Sequence, residues 1–348
     1  MRLITLPAEW VRQSGIILAF PHMNSDWNHI FSEVVPCFVS IVKEIIKREQ
    51  LIILCFSIKE VKFALGSVDY SKIIFCKLTF NDVWVRDYGP LFISVDDRLC
   101  ILDFNFNGWG LKFPANHDNQ IVRRLYEKKI FSSLVDYKKI NMVLEGGSIE
   151  SDGNGSILTT SRCLLSINRN EFMTKSELEH AFNFLFGIKR VLWLHNGYLA
   201  GDDTDAHIDT LARFCDRETI VYVQCTNKND EHFEELSLME AELMSFKTLE
   251  GKPYKLIPLP MAEAVFYKGE RLPATYANFL IINDVVLMPI YDSYLDELAK
   301  TSLQKAFFGR NIIGINCLPL IKQHGSLHCL AMQIPENFIL LMGGREIV

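Results

Sequence analysis

A chain of 348 residues holds enough material for one large domain or two ordinary ones, and 49% apolar with 22% charged residues is a globular composition. Lys and Arg number 36 against 42 Asp and Glu, a net charge of −6, which argues against nucleic acid as the main partner and favours a cationic ligand. The start "MRLITLPAEW" lacks the apolar core of a signal peptide, no apolar run reaches the ~18 residues of a membrane helix, and the 9 cysteines form no CxxC pair, so a reduced, cytoplasmic protein without a membrane partner is expected.

The first helical pattern is "FSEVVPCFVSIVKEIIKREQ" (31–50), apolar at helical spacing, with Pro36 limiting where the helix begins. "SIKEVKFALG" (57–66) has Ser57 and Glu60 at capping-box spacing and Gly66 as its stop. "TKSELEHAFNFLFG" repeats that logic with Thr174, Glu177 and Gly187, and "DSYLDELAKTSLQKAFFG" runs to Gly309. Between the helices an apolar run, a short polar turn and a second apolar run recur. The five instances are "GPLFISVDDRLCILDF", "GGSIESDGNGSILTT", "DTLARFCDRETIVYVQC", "NFLIINDVVLMPIYD" and "CLAMQIPENFILLMGG". Five similar hairpins in a chain without linker or low-complexity tracts imply one α/β domain over residues 1–348, each unit contributing one blade.

At the heads of the hairpins stand Asp87, Glu145, His207 with Asp209, Asn278 and Cys329. Two acids, a His–Asp pair and a thiol are a catalytic inventory rather than packing material if the five units share a centre. In "NDVWVRDYGP", Asp87 either faces a cleft lined by Trp84 or pairs with Arg86 at the surface. Glu145 precedes a Gly-Gly pair that permits a sharp bend or a close approach, whereas Asp152 in "SDGNG" reads as a turn residue. In "GDDTDAHIDTLARF", extended chain would put His207 and Asp209 on one face with Ile208 turned away. HxD also occurs at metal sites, which keeps a metal hydrolase as a rival, but no HxH, HExxH or Cys pair completes a ligand set, and His117 and His195 stand alone. In "HGSLHCLAMQIP", strand alternation turns His328 away from Cys329, so a base for that thiol must come from elsewhere, with His207 the candidate. Taken alone, Cys329 would be a small core residue.

The strings "PAEW", "FPH" and "DW" near the start, "NDVWVRDYGP", "FNGWGLKF", "LEGGSIESDGNGSILTTSRCLLSINRN", "GDDTDAHIDTLARF", "YANFLIINDVVLMPIYD" and "GSLHCLAMQIP" together resemble the agmatine deiminase and bacterial-type peptidylarginine deiminase family, in order, over about residues 6 to 335. The resemblance implies a five-bladed α/β propeller of pseudo-fivefold ββαβ units. It implies Cys329 as nucleophile, His207 as general acid/base, Asp87 and Asp209 as guanidinium-binding carboxylates, Glu145 as an orienting acid and Trp84 as an aromatic at the mouth of the site. Three positions depart from the family pattern: His324 where glycine is usual, Ala206 where Gly or Ser is frequent, and Ala331 where Thr is common.

A guanidinium stays protonated at physiological pH, and its planar N–H forks call for carboxylates. Covalent thiol chemistry on it needs no cofactor and no metal, so chelators should be without effect. The resemblance points first to agmatine as substrate, giving N-carbamoylputrescine and ammonia in polyamine biosynthesis. Asp202, Asp203 and Trp84 are available for the agmatine amine, whereas Arg86 is the only near candidate for an arginine α-carboxylate. Peptidylarginine or arginine is the alternative within the class, and a cation-binding module without turnover is the alternative outside it. A homo-oligomer is expected by analogy alone.

Overall fold

The same three-stranded order is built five times: a strand, an antiparallel neighbour and, across a helix, a third strand parallel to the second. The computed structural model describes residues 3–339 and 343–348. The first unit joins Leu91–Val95, Arg98–Asn105 and Asp136–Val143. The second joins Ile149–Ser151, Ser156–Thr160 and Arg190–Leu194. The third joins Ala212–Phe214, Thr219–Gln224 and Lys255–Pro260, and the fourth Leu280–Ile282, Val285–Ile290 and Asn311–Asn316. The architecture is mixed α/β, and each helix is the crossover that a parallel pair requires.

The fifth unit departs from the expected hairpin over 329–344. Ala331–Pro335 pairs antiparallel with Gln13–Ala19, which runs parallel to Gln50–Cys55. Residues 340–342 of the expected hairpin lie outside the described residues. The reason is burial: every residue of Gln13–Ala19 except Ser14 is buried, so this strand needs a neighbour on both edges. Both distant parts of the chain thereby share one sheet, which extends further through Ile73–Lys77.

The helix starts follow their caps. Ile58–Leu65 begins on Ser57, whose side chain accepts from the Glu60 N–H, and Lys175–Phe186 begins on a complete Thr174–Glu177 capping box. Pro36 does not limit the first helix, which spans Phe31–Ile46 and carries the proline inside. The missing N–H forgoes only the bond to the carbonyl of Ser32, and both residues lie on the exposed face, where water can replace it. Asp96 and Asp97 turn the first hairpin with φ of 49° and 65°, the left-handed pair that two-residue hairpins prefer. Asp152 is a turn residue as read, its Oδ1 accepting from the N–H groups of Asn154 (2.7 Å) and Ser156 (2.8 Å). No helix among the described residues is long and apolar enough to cross a membrane.

Two substitutions test the ends of the 175–186 helix. Thr174→Ala should cost about 1 kcal/mol in urea unfolding, the usual worth of an N-cap. Gly187→Ala should cost more, because Gly187 has φ 71° and an added Cβ would run into the carbonyl of Ile4.

Candidate active site

Each unit places a polar side chain in the turn just ahead of its first strand, and these turns meet. Asp87 lies in a short helical turn before Leu91, Glu145 before a turn leading to Ile149, and His207 and Asp209 around the turn Ile208–Thr210. Asn278 and Cys329 each precede their strand by two residues. Cys329 therefore sits in a turn rather than within a strand. All six are buried, Cys329 keeping 6% exposure and the others 3% or less. His207 and Asp209 face the same centre because the chain turns between them, not because an extended strand alternates.

Gly147 marks the middle. A Cβ there would stand 2.8 Å from His207 Nδ1 and 2.9 Å from both Asp209 Oδ2 and Asp87 Oδ1. The Gly-Gly pair thus serves close approach rather than a left-handed bend, and neither residue has positive φ. His207 Nδ1 lies 3.6 Å from Asp87 Oδ1, and its Nε2 lies 3.9 Å from Glu145 Oε2. Cys329 Sγ is 3.8 Å from Asp209 Oδ2 and within 3.4–3.5 Å of the Asn278 amide. Neither nitrogen of His207 nor Asp209 Oδ1 has a hydrogen-bond partner among the described residues. Buried polar groups are ordinarily paired, so three bare atoms around one centre mark where a ligand completes the bonding.

Each acid is held differently. Asp87 accepts from Trp109 Nε1 (2.9 Å) and the Gly147 N–H (2.9 Å), both neutral donors. Burial pushes its pKa up, against the opposing pull of His207. Glu145 takes the Arg169 guanidinium at 2.8 and 3.0 Å; burial opposes its ionisation, but His207 and Arg169 outweigh that and hold it below the usual range. Asp209 accepts from His328 Nδ1 at 2.7 Å; here too burial is outweighed, by His328 first, and the carboxyl is held low. Burial alone would lower the pKa of His207, yet Asp87 and other neighbours carry it well above its ordinary value. Burial, then Asp209 and Asp87, push the Cys329 thiol well up, so the free site holds a thiol beside an imidazolium.

Outside this centre lies a cavity of about 370 Å³. Trp84 lines it as expected, packed so closely under Gly325 that a Cβ there would stand 2.6 Å from the indole. Asp26, Asp82 and Asp203 also line it, and no Arg or Lys among the described residues does. Burial and Asp202 bring Asp203 up to about 6. Asp202 spends its carboxylate on its own loop, accepting from Thr204 N–H (3.1 Å), Thr204 Oγ1 (2.5 Å) and Ala206 N–H (2.7 Å), so it shapes the turn that delivers His207. Arg86 is neither a surface partner of Asp87 nor free for an α-carboxylate. It is 4% exposed and directed to Glu9 (3.0 Å) and Gln333, away from the cavity.

Trp109, Arg169 and the contacts of His328 and Glu9 had no role assigned from sequence. Trp109 reaches Asp87 because its own φ is 55°, between two glycines that are also left-handed, in "FNGWG". The glycine-flanked aromatic was the available signal. Glu145, Cys163 and His207 come within 4.8 Å of one another, a ligand-like set. Arg169, however, stands on both Glu145 oxygens, where a metal would need a lone pair.

A buried thiol and imidazole beside carboxylates, at the foot of an acidic cavity, have the make-up of an active site. The chain belongs to the Porphyromonas-type peptidyl-arginine deiminase family, whose profile matches residues 5–335. It is similar to a Porphyromonas gingivalis structure provisionally named an arginine deiminase, at 47% identity and TM-score 0.94 over 97% of this chain and 100% of that one. A cysteine-to-serine variant of C. jejuni agmatine deiminase with substrate bound is 35% identical, with TM-score 0.89 over 96% of each chain. The agmatine deiminase of Pseudomonas aeruginosa is 26% identical over 95% of each chain. An amidinotransferase from Microseira wollei, 11% identical with TM-score 0.53, shares the fold alone. The chain is thus a hydrolase acting on C–N bonds, of the agmatine deiminase type.

Gly147→Ala should abolish tight binding of guanidinium compounds in calorimetry while the melting temperature moves little. Its methyl would push the side-chain ends of His207, Asp209 and Asp87 apart without disturbing the surrounding sheets.

Proposed function

We propose that this chain hydrolyses agmatine to N-carbamoylputrescine and ammonia, with Cys329 as nucleophile and His207 as general acid and base. The observation that carries the reading is the pairing of Asp87 and Asp209 across His207 and Cys329, with Asp209 Oδ2 at the centre and its Oδ1 without a partner among the described residues. Each acid takes one edge of the guanidinium and fixes its central carbon over Sγ, and such positioning can be worth about 7 kcal/mol or more. The arriving cation offsets the two carboxylates that hold the thiol up, so Cys329 releases its proton to solvent as the substrate seats.

The thiolate then attacks the guanidinium carbon and an S–C bond forms. The His207 imidazolium gives its proton to the departing nitrogen; the C–N bond breaks and ammonia leaves, and a thiouronium-like adduct remains. Neutral His207 next takes a proton from water, whose oxygen attacks the same carbon; the S–C bond breaks and the ureido product departs. Glu145, locked by Arg169, keeps the imidazole oriented and charged. The five units, read as blades of one propeller-like catalytic domain, explain why five turns supply one centre.

The acidic wall supports a second positive charge at the far end of the substrate. Asp203 faces the cavity beside Trp84, with Asp82 and Asp26 near it, and no Arg or Lys among the described residues lines the cavity to hold an α-carboxylate. A specific observation favours peptidylarginine as the second reading: Leu111 and Ile167, on two short helical turns that pack against each other, are exposed by more than 70% and offer an apolar surface for residues flanking an arginine.

Ammonia release measured side by side on agmatine, free arginine and an arginine-containing peptide decides the matter; turnover fastest on agmatine is expected, and preference for the peptide would favour the second reading. Cys329→Ser and His207→Ala should each lower kcat by more than about a thousandfold with the fold intact. Near-normal release from either variant would remove the assigned role. EDTA should leave the rate unchanged. Because the Asp203 pKa is brought up to about 6, its charge is present above that pH and lost below it, so the KM for agmatine should rise as the pH falls through about 6.

A further inference from the structure

The "PAEW" string near the start of the chain carries no role in the reaction above, yet its Glu9 reaches the back of the centre. Glu9 accepts from Arg86 Nη1 (3.0 Å), Arg213 Nη2 (2.6 Å) and Gln333 Nε2 (2.9 Å). Both of its oxygens also lie 2.9 and 3.0 Å from Nε2 of His328. The other nitrogen of that ring, Nδ1, lies 2.7 Å from Asp209 Oδ2. Asp209 Oδ1 is left without a hydrogen-bond partner among the described residues.

We infer that His328 is an imidazolium wedged between Glu9 and Asp209, and that this charged wedge is a positioning device: it keeps Asp209 ionised and turns its free oxygen to the guanidinium. The inference rests on the binding role given to Asp209 above. Ionised carboxylates only accept hydrogen bonds, and the imidazolium, unlike either neutral tautomer, donates from both ring nitrogens to the carboxylate each one faces. Arg213 Nη2 also lies 2.9 Å from Nε2, but that guanidinium nitrogen donates to Glu9, the acceptor it shares with the ring. Asp209 and Glu9 are both held below the usual carboxylate range: burial opposes this, and His328 is the first opposing cause in each.

The wedge is fixed from every side. The ring is 1% exposed, and the His328 N–H donates to Asn278 Oδ1 at 2.9 Å. The charged groups around it are Glu9 from the N-terminal segment, Arg86 behind Asp87, Asp209 from its turn, and Arg213, which also pairs with Glu150. Adjacent to the nucleophile in sequence, His328 thus serves the acid rather than the thiol.

The direct test is ring-nitrogen NMR of His328 in the substrate-free protein at pH 7, with the Asp209 carboxyl carbon titrated in wild type, Glu9→Gln and His328→Asn. Both ring nitrogens should be protonated in wild type. The Asp209 pKa should rise by about 1–3 units in His328→Asn, and by less in Glu9→Gln, the size expected when one opposite charge is removed. Ammonia-release profiles should show the acid limb of kcat/KM moving to higher pH in the same order, with thermal melts reporting that the variants fold. A neutral His328 ring in wild type, or an unmoved Asp209 in His328→Asn, would overturn the inference. Failure of all three guanidino substrates would instead count against the proposed reaction, and the NMR readout stands apart from turnover.

Discussion

The centre of this molecule is a problem of like charges. Asp87, Glu145 and Asp209 are buried within reach of one imidazole, and the half-buried Glu9 and the buried Glu150 lie behind them. Taking a carboxylate out of water costs several kcal/mol unless a partner offsets it. The structure gives each acid a different partner. Glu145 has a guanidinium and Asp209 an imidazole, whereas Asp87 accepts hydrogen bonds only from an indole and an amide N–H, with the His207 ring further off at 3.6 Å. Glu9 and Glu150 are answered by Arg86 and Arg213. Asp87 is therefore the acid least compensated by fixed charge, and a cationic ligand supplies what is missing. Affinity for a cation and the cost of burying the acids are two sides of one electrostatic balance.

The sequence carried more of this than its length suggests. Helix caps at Ser57 and Thr174 were read correctly because capping is local chemistry. The polar heads of five hairpins pointed to a shared centre, and those residues do meet, although through turns rather than strand alternation. Pro36 was misjudged because the exposure of a carbonyl four residues back is a tertiary property. The fifth hairpin was misjudged because "CLAMQIPENFILLMGG" has the right local pattern, while the buried strand Gln13–Ala19 competes for its pairing from more than 300 residues away. The partners of Glu9 and Arg86 were not legible for a similar reason: His328 lies 319 residues from Glu9, and Gln333 lies 247 from Arg86.

The departures from the family pattern also acquire a physical meaning. His324 and Ala206, standing where glycine is frequent, have φ of 65° and 63°. Side chains pay a steric penalty there that glycine does not, though histidine tolerates the region better than most residues. His324 gains a hydrogen bond from the arrangement, its Nδ1 lying 2.7 Å from the Gly201 carbonyl. It ties the loop ahead of Cys329 to the acidic loop ahead of His207, so both walls of the cavity share one brace. Opposite it, Lys112 reaches the Asp203 carbonyl and Asp205.

The closure of the fifth sheet has a consequence for how the protein comes into being. The strand that follows Cys329 finds its partner in Gln13–Ala19, and Glu9 just before that strand meets His328. On a ribosome the acids, the imidazole and the first strand are made long before the thiol. A growing chain would expose an unpaired, apolar strand edge until the last sheet can close, and contacts of such span are slow to form. The same order means that a product stalled before residue 329 holds the buried acids and the His207 imidazole but lacks the thiol proposed to react.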